Sequence, residues 1–99
     1  MSNYLEKLHK NQIHFPEAHA NLLRNLFYMV ASLKDEEEIR MNMYGGFEKY
    51  RDCVKDEGLK GVTFTIRWER DVQGYKKVAY RAVIKPKVVL AQLEKYCAA

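Results

Sequence analysis

"GVTFTIRWERDVQGYKKVAYRAVIKP", residues 61–86, decides how the rest of the chain is arranged. Two runs in it alternate apolar and polar residues, the period of a half-buried strand. In 61–70, Val62, Phe64, Ile66 and Trp68 share one face, with Thr63, Thr65, Arg67 and Glu69 on the other. In 76–85, Val78, Tyr80, Ala82 and Ile84 oppose Lys77, Ala79, Arg81, Val83 and Lys85. The turn signal "DVQG" between the runs predicts a β-hairpin. A one-residue slip would turn one apolar set outward, so the faces fix the register. It pairs Trp68 with Val78, Ile66 with Tyr80 and Phe64 with Ala82, and sets Glu69 against Lys77 as a favourable cross-strand pair. The outer face then shows Thr63, Thr65, Arg67, Lys77, Arg81 and Lys85.

Upstream, Ile39, Met41 and Met43 alternate with Arg40, Asn42 and Tyr44, although Ile39, Met43, Phe47, Tyr50 and Val54 also fit helical spacing. Two adjacent glycines inside a helix cost about 2 kcal/mol relative to alanine. The spacing therefore predicts a short strand at 38–44, a break at Gly45–Gly46, and a helix at 47–57 with Gly58 as its C-cap. The segment "FPEAHANLLRNLFYMVASLK" reads as the firmest helix, with Pro16 at its first position and Glu17 complementing its positive end. Leu22, Leu23, Leu26, Phe27, Met29, Val30 and Leu33 span an arc of about 160°, wider than the roughly 100° of a simple surface helix. Such an arc predicts either a central core helix or a homodimer through the apolar face of helix 17–33. Tyr4, Leu5 and Leu8 form one apolar turn of a lead-in. Pro86 opens the last helix, with Val89, Leu90, Leu93, Tyr96 and Cys97 as its packing stripe. The expected fold is one α+β domain over residues 1–99. A small antiparallel sheet (the C-terminal hairpin, with a third short strand) packs on about three helices, its other face open and basic.

Composition agrees with one small globular core: 99 residues, 47% hydrophobic and 30% charged. The longest near-apolar run, "LFYMVASL" at 26–33, is far short of the roughly 20 residues that span a bilayer, so no membrane partner is expected. The N-terminal residues lack an apolar signal core, and Cys53 and Cys97 have no short spacing; both features predict a cytoplasmic protein with free thiols. The charge is segregated. Residues 1–59 carry eight basic and ten acidic side chains, whereas 60–87 carry eight basic and two acidic, a net +6. A field concentrated in this way attracts polyanions.

Catalytic chemistry finds little footing. His9, His14 and His19 recur every five residues, so successive rings leave a helix on different faces, and no Cys-x-x-Cys or His-x-x-x-His pair accompanies them. Cys53 in "YRDCVK" has Arg51 and Lys55 two positions away, pointing elsewhere on a helix, and reads as a structural thiol. The carboxylates of Asp35–Glu38 diverge and have no second cluster to meet. Gly45–Gly46 lacks the lysine and longer glycine pattern of a phosphate loop. No hydrolase triad order or dinucleotide fingerprint is present. The expectation is a binding protein without catalytic activity, metal or cofactor.

The hairpin carries the functional expectation. Arg67, Arg70, Lys76, Lys77, Arg81 and Lys85 are the candidates for phosphate contacts, with Tyr75 as a stacking ring. Neither the GXXG loop of KH domains nor outward aromatic RNP motifs accompany them. The rival expectation is a protein-binding accessory factor or stoichiometric inhibitor, of the kind phages direct at host machinery. It would dock an acidic protein surface on this same face, or an apolar one on helix 17–33.

Overall fold

A computed structural model describes residues 6, 8, 13–43, 45–70, 72–74 and 76–97, without the side chains of 68, 69 and 76–79. The element order is a 3-10 turn Glu17–His19, α1 (Ala20–Ser32), β1 (Ile39–Met43), α2 (Phe47–Asp56), β2 (Val62–Arg70), β3 (Lys76–Ile84), α3 (Pro86–Ala91) and a closing 3-10 turn Leu93–Tyr96. The α+β expectation holds: the three helices back a three-stranded antiparallel sheet.

The hairpin register is the one that alternation requires. Phe64 pairs with Ala82, Ile66 with Tyr80, Trp68 with Val78 and Glu69 with Lys77. The strand order is β1-β3-β2. The chain therefore leaves β1, crosses through α2, lays down β2 one place away, and returns through β3 into the gap between them. Both β1 and β2 run antiparallel to β3, with Ile39 opposite Ile84, Met41 opposite Ala82 and Met43 opposite Tyr80. The Gly45–Gly46 break stands between β1 and α2 as predicted. Gly46 takes φ +73°, a left-handed turn that frees α2 to start at Phe47.

Gly58 ends α2 as expected. At φ +64° it donates to Lys55 O, and Leu59 donates back to Val54 O, which together satisfy two of the open carbonyls at a helix end. Leu59 is buried by this turn. A second glycine has a packing role that sequence alternation does not reveal. Gly61 adopts φ +83°, and a Cβ there would lie 2.8 Å from Val88 Cγ1 of α3. Only glycine lets β2 begin this close to α3. Gln92 fastens the same junction: its Oε1 accepts from Lys60 N at 2.8 Å, and its Nε2 donates to Lys60 O at 2.8 Å and Val88 O at 3.0 Å.

The core lies between the sheet and the helices. Leu23, Phe27 and Val30 of α1 and Val89 and Leu93 of the C-terminal segment are fully buried. The rings of Phe15, Phe27 and Tyr96 lie 5.3 to 5.9 Å apart, Phe15 stacked on Phe27 and Tyr96 meeting Phe27 edge-on. Leu8 joins this core, and Ile13 bridges to Cys97, while Tyr4 and Leu5 lie outside the described residues. The wide arc of α1 is thus largely covered by its own chain; of the predicted set, Leu22 and Met29 stay half-buried and Leu33 is exposed. Two helix boundaries differ from expectation. Pro16 is extended (ψ 134°) and stands before the 3-10 turn, not inside the helix. The last helix tightens at Gln92 into its 3-10 turn.

The inner face of the hairpin is covered for only part of its length. Ala82 and Ile84 are each 2% exposed, but Ile66, one pair of rows further out, is 48% exposed. Nine-residue strands extend about 30 Å, and the described inner-face residues of the outer part of β2, Ile66 and Arg70, are exposed. Alternation assigned Ile66 to a buried face; in the folded chain it lies beyond the edge of the helical layer. Phe47, at the start of α2, marks that edge: its ring meets Phe64 at 5.4 Å and Tyr80 at 4.6 Å.

Candidate nucleic-acid interface

Among the described residues, no helix lies on the outer face of the sheet. Alternation along β3 directs Arg81, Val83 and Lys85 away from the core, and the pairing brings neighbours to them from both flanking strands. One row reads Arg40–Val83–Thr63 and the next Asn42–Arg81–Thr65, followed by Arg67 opposite Ala79. Arg40, Arg81 and Arg67 therefore form a diagonal, one arginine per strand, each shifted by one row. With strands about 4.8 Å apart and about 3.3 Å per residue, successive arginines on that diagonal are set about 8 Å apart at their backbones. Arg40, Asn42, Thr65, Arg67 and Arg81 together line a shallow depression of about 560 Å³.

All three arginines are exposed, as are Thr63, Thr65 and Lys85. Arg40 Nη2 lies 3.2 Å from Glu38 Oε2, and its Nε lies 3.3 Å from the same oxygen. Among the described residues, Arg67, Arg70, Arg81 and Lys85 have no acidic partner. Of the acid run Asp35–Glu38, Glu38 reaches the face, through Arg40. The outward residues described there, Arg40, Asn42, Thr63, Thr65, Arg67, Arg81, Val83 and Lys85, include no aromatic ring.

The sequence candidates divide into groups. Arg67 and Arg81 come together on the diagonal, and Lys85 continues the same face at the end nearest α3. Arg70 pairs with Lys76, in a row whose parity matches Ile66 and Tyr80, so it belongs to the opposite face near the tip. Lys76 and Lys77 occupy their expected ladder positions, but their side chains are not described. Tyr75 lies outside the described residues, as does Tyr44. Arg40 and Asn42 were missed as members of this site. Their outward alternation was visible, but the pairing of β1 with β3 was not.

The other reactive groups are accounted for by the fold. Cys53 is buried, and its thiol is pushed up to about 11, first by burial and then by the carboxylates of Glu57 and Asp56. A thiol so raised remains protonated at neutral pH and is a poor nucleophile. Cys97 is half-buried, with Sγ 3.7 Å from Leu93 O. Tyr96 donates its hydroxyl to Glu57 Oε1 at 2.7 Å; burial and this bond raise its pKa well above the ordinary phenol value. His19 Nε2 stands 3.5 Å from Asp56 Oδ2. His14 is exposed, and His9 lies outside the described residues. Among the described residues, no three His, Cys, Asp or Glu side chains converge as a metal site would require.

No protein-family model, curated protein or solved structure matches the chain. Among the described residues, no helix is long and apolar enough to cross a membrane.

Proposed function

We propose that the protein is a binding module without catalytic activity that holds nucleic acid by its phosphate backbone on the outer face of the sheet. The observation that carries this reading is the diagonal of Arg40, Arg81 and Arg67 on an uncovered, exposed face. Guanidinium groups bond phosphate oxygens in pairs, and Thr63, Thr65 and Asn42 add neutral donors beside them. With no aromatic ring among the described outward residues, recognition rests on charge and shape, and the binding is insensitive to base sequence. Lys85 extends the positive field on this face, Lys77 remains a candidate by its ladder position, and Tyr75 remains the candidate for stacking near the tip.

Fluorescence anisotropy with labelled duplex and single-stranded oligonucleotides, across about 50 to 200 mM salt, tests this directly. Each phosphate contact to a duplex contributes a log–log slope of about −0.9, so three arginines give about −2.7. Equal affinity for unrelated sequences accompanies that slope. Absence of binding at the lowest salt, or a slope near zero, overturns the reading.

Ile66 favours the second reading, a protein-binding accessory factor or inhibitor. An apolar side chain left uncovered on a projecting ribbon suits a partner protein better than a polyanion. For this reading, capture of a partner from nuclease-treated lysate must be lost in Ile66→Ser and kept in Arg81→Ala. Capture unaffected by Ile66→Ser contradicts it.

A further inference from the structure

On the other side of the sheet from the arginines, a cavity of about 310 Å³ lies between α1, α2 and the packed end of the strands. Its origin is legible in one row of the sheet. Met41, Ala82 and Phe64 stand side by side on β1, β3 and β2, so the smallest side chain occupies the central strand. Ala82 lines the floor of the space, with Leu26 and Met29 of α1 across from it. Met43 closes one side, so three of the chain's four methionines surround the space.

We propose that this cavity is a binding site for a small neutral apolar molecule of about two fused rings. None of its described lining residues is charged; of its asparagines, Asn25 is exposed at its solvent side and Asn42 alternates toward the opposite face of the sheet. Among the described side chains no buried polar atom lacks a partner, so the interior makes no demand for a polar ligand group. A charged ligand would lose its hydration there without compensation. Size follows from comparison with an apolar cavity of about 150 Å³, which accepts benzene; this one is about twice as large. An apolar occupant gains dispersion contacts with its inner walls without displacing a protein–protein hydrogen bond. Methionine suits such a site because its unbranched, polarizable side chain moulds to different shapes and contacts ring edges favourably.

The test is an NMR titration of protein carrying 13C-methyl methionine with indole, a neutral two-ring probe. Saturable shifts of the Met29, Met41 and Met43 methyls are expected. Indole-3-acetate, the same rings bearing a carboxylate, binds about tenfold weaker or less because its charge resists burial. Ala82→Leu fills the floor and abolishes the shifts, whereas Ile66→Ser, outside the cavity, leaves them unchanged. Shifts that fail to saturate, or that miss these three methyls, overturn the proposal on the unaltered chain alone, whether or not Ala82→Leu folds. Retention of binding in a folded Ala82→Leu also overturns it.

Discussion

At the base of the hairpin, Val62, Phe64, Ala82 and Ile84 lie beneath α1 and α2, with β1 adding a third strand beside β3. Further out, β2 and β3 continue as two strands alone, and Ile66 stands half in solvent. The same apolar–polar alternation runs through both regions. What differs is the layer above them: the helices end near the row of Tyr80, where Phe47 packs. Alternation assigns a side chain to a face, and only the reach of the neighbouring layer decides whether that face is buried. The base is therefore the stable part of the molecule. A two-stranded ribbon alone is marginal in water, so the outer half depends on the base for its stability.

Mutations at matched positions measure this contrast. Ile84→Ala removes a fully enclosed side chain and is expected to cost about 2 to 5 kcal/mol in urea unfolding. Ile66→Ala, on the same face two rows out, is expected to cost about 0.5 kcal/mol or less, the range of surface substitutions. Similar costs at both positions would break the division between base and overhang.

The junction where β2 leaves the helices comes next. Gly61→Ala forces a Cβ against Val88 from a left-handed backbone and should destabilise by about 1 to 3 kcal/mol. Gln92→Ala removes three hydrogen bonds, two of them to the Lys60 backbone, and should cost about 1 to 2 kcal/mol. The counterpart at the hairpin turn sharpens the comparison. Gly74 also has positive φ but no atom within 4 Å of a Cβ, so Gly74→Ala pays only the conformational term, about 1 kcal/mol.

A last effect concerns pH. The Cys53 thiol ionises near 9 when unfolded and near 11 when folded, so between those values the folded chain holds the extra proton. By linkage, its contribution to stability is complete below pH 9 and is lost as pH rises toward 11. Cys53→Ala should flatten that part of the stability–pH curve, while Tyr96→Phe flattens the part above pH 10. A curve for Cys53→Ala that keeps the wild-type slope between 9 and 11 contradicts the assignment.

Much of this fold is readable from residues. Alternation in 62–70 and 76–84 determines the hairpin register, and the paired glycines at 45–46 separate β1 from α2. The position of β1 beside β3 is not readable, because strands that are not consecutive share no turn whose chemistry announces the pairing. That gap concealed the site: Arg67 and Arg81 stand out in the sequence, whereas Arg40 joins them only through the β1–β3 ladder. Gln92 was equally hidden, since a lone glutamine in a short helix gives no sign that it clamps a backbone 32 residues away. Arg70 shows the converse. It belongs to the basic cluster by sequence, yet the pleat separates it from its neighbours.

The salt dependence of duplex binding in four single variants tests the central claim. Arg40→Ala, Arg67→Ala and Arg81→Ala should each make the log–log slope shallower by about 0.9, while Arg70→Ala leaves it unchanged. If Arg70→Ala flattens the slope as much as the other three, or if Arg40→Ala leaves it untouched, the ligand does not lie along the diagonal on the outer face.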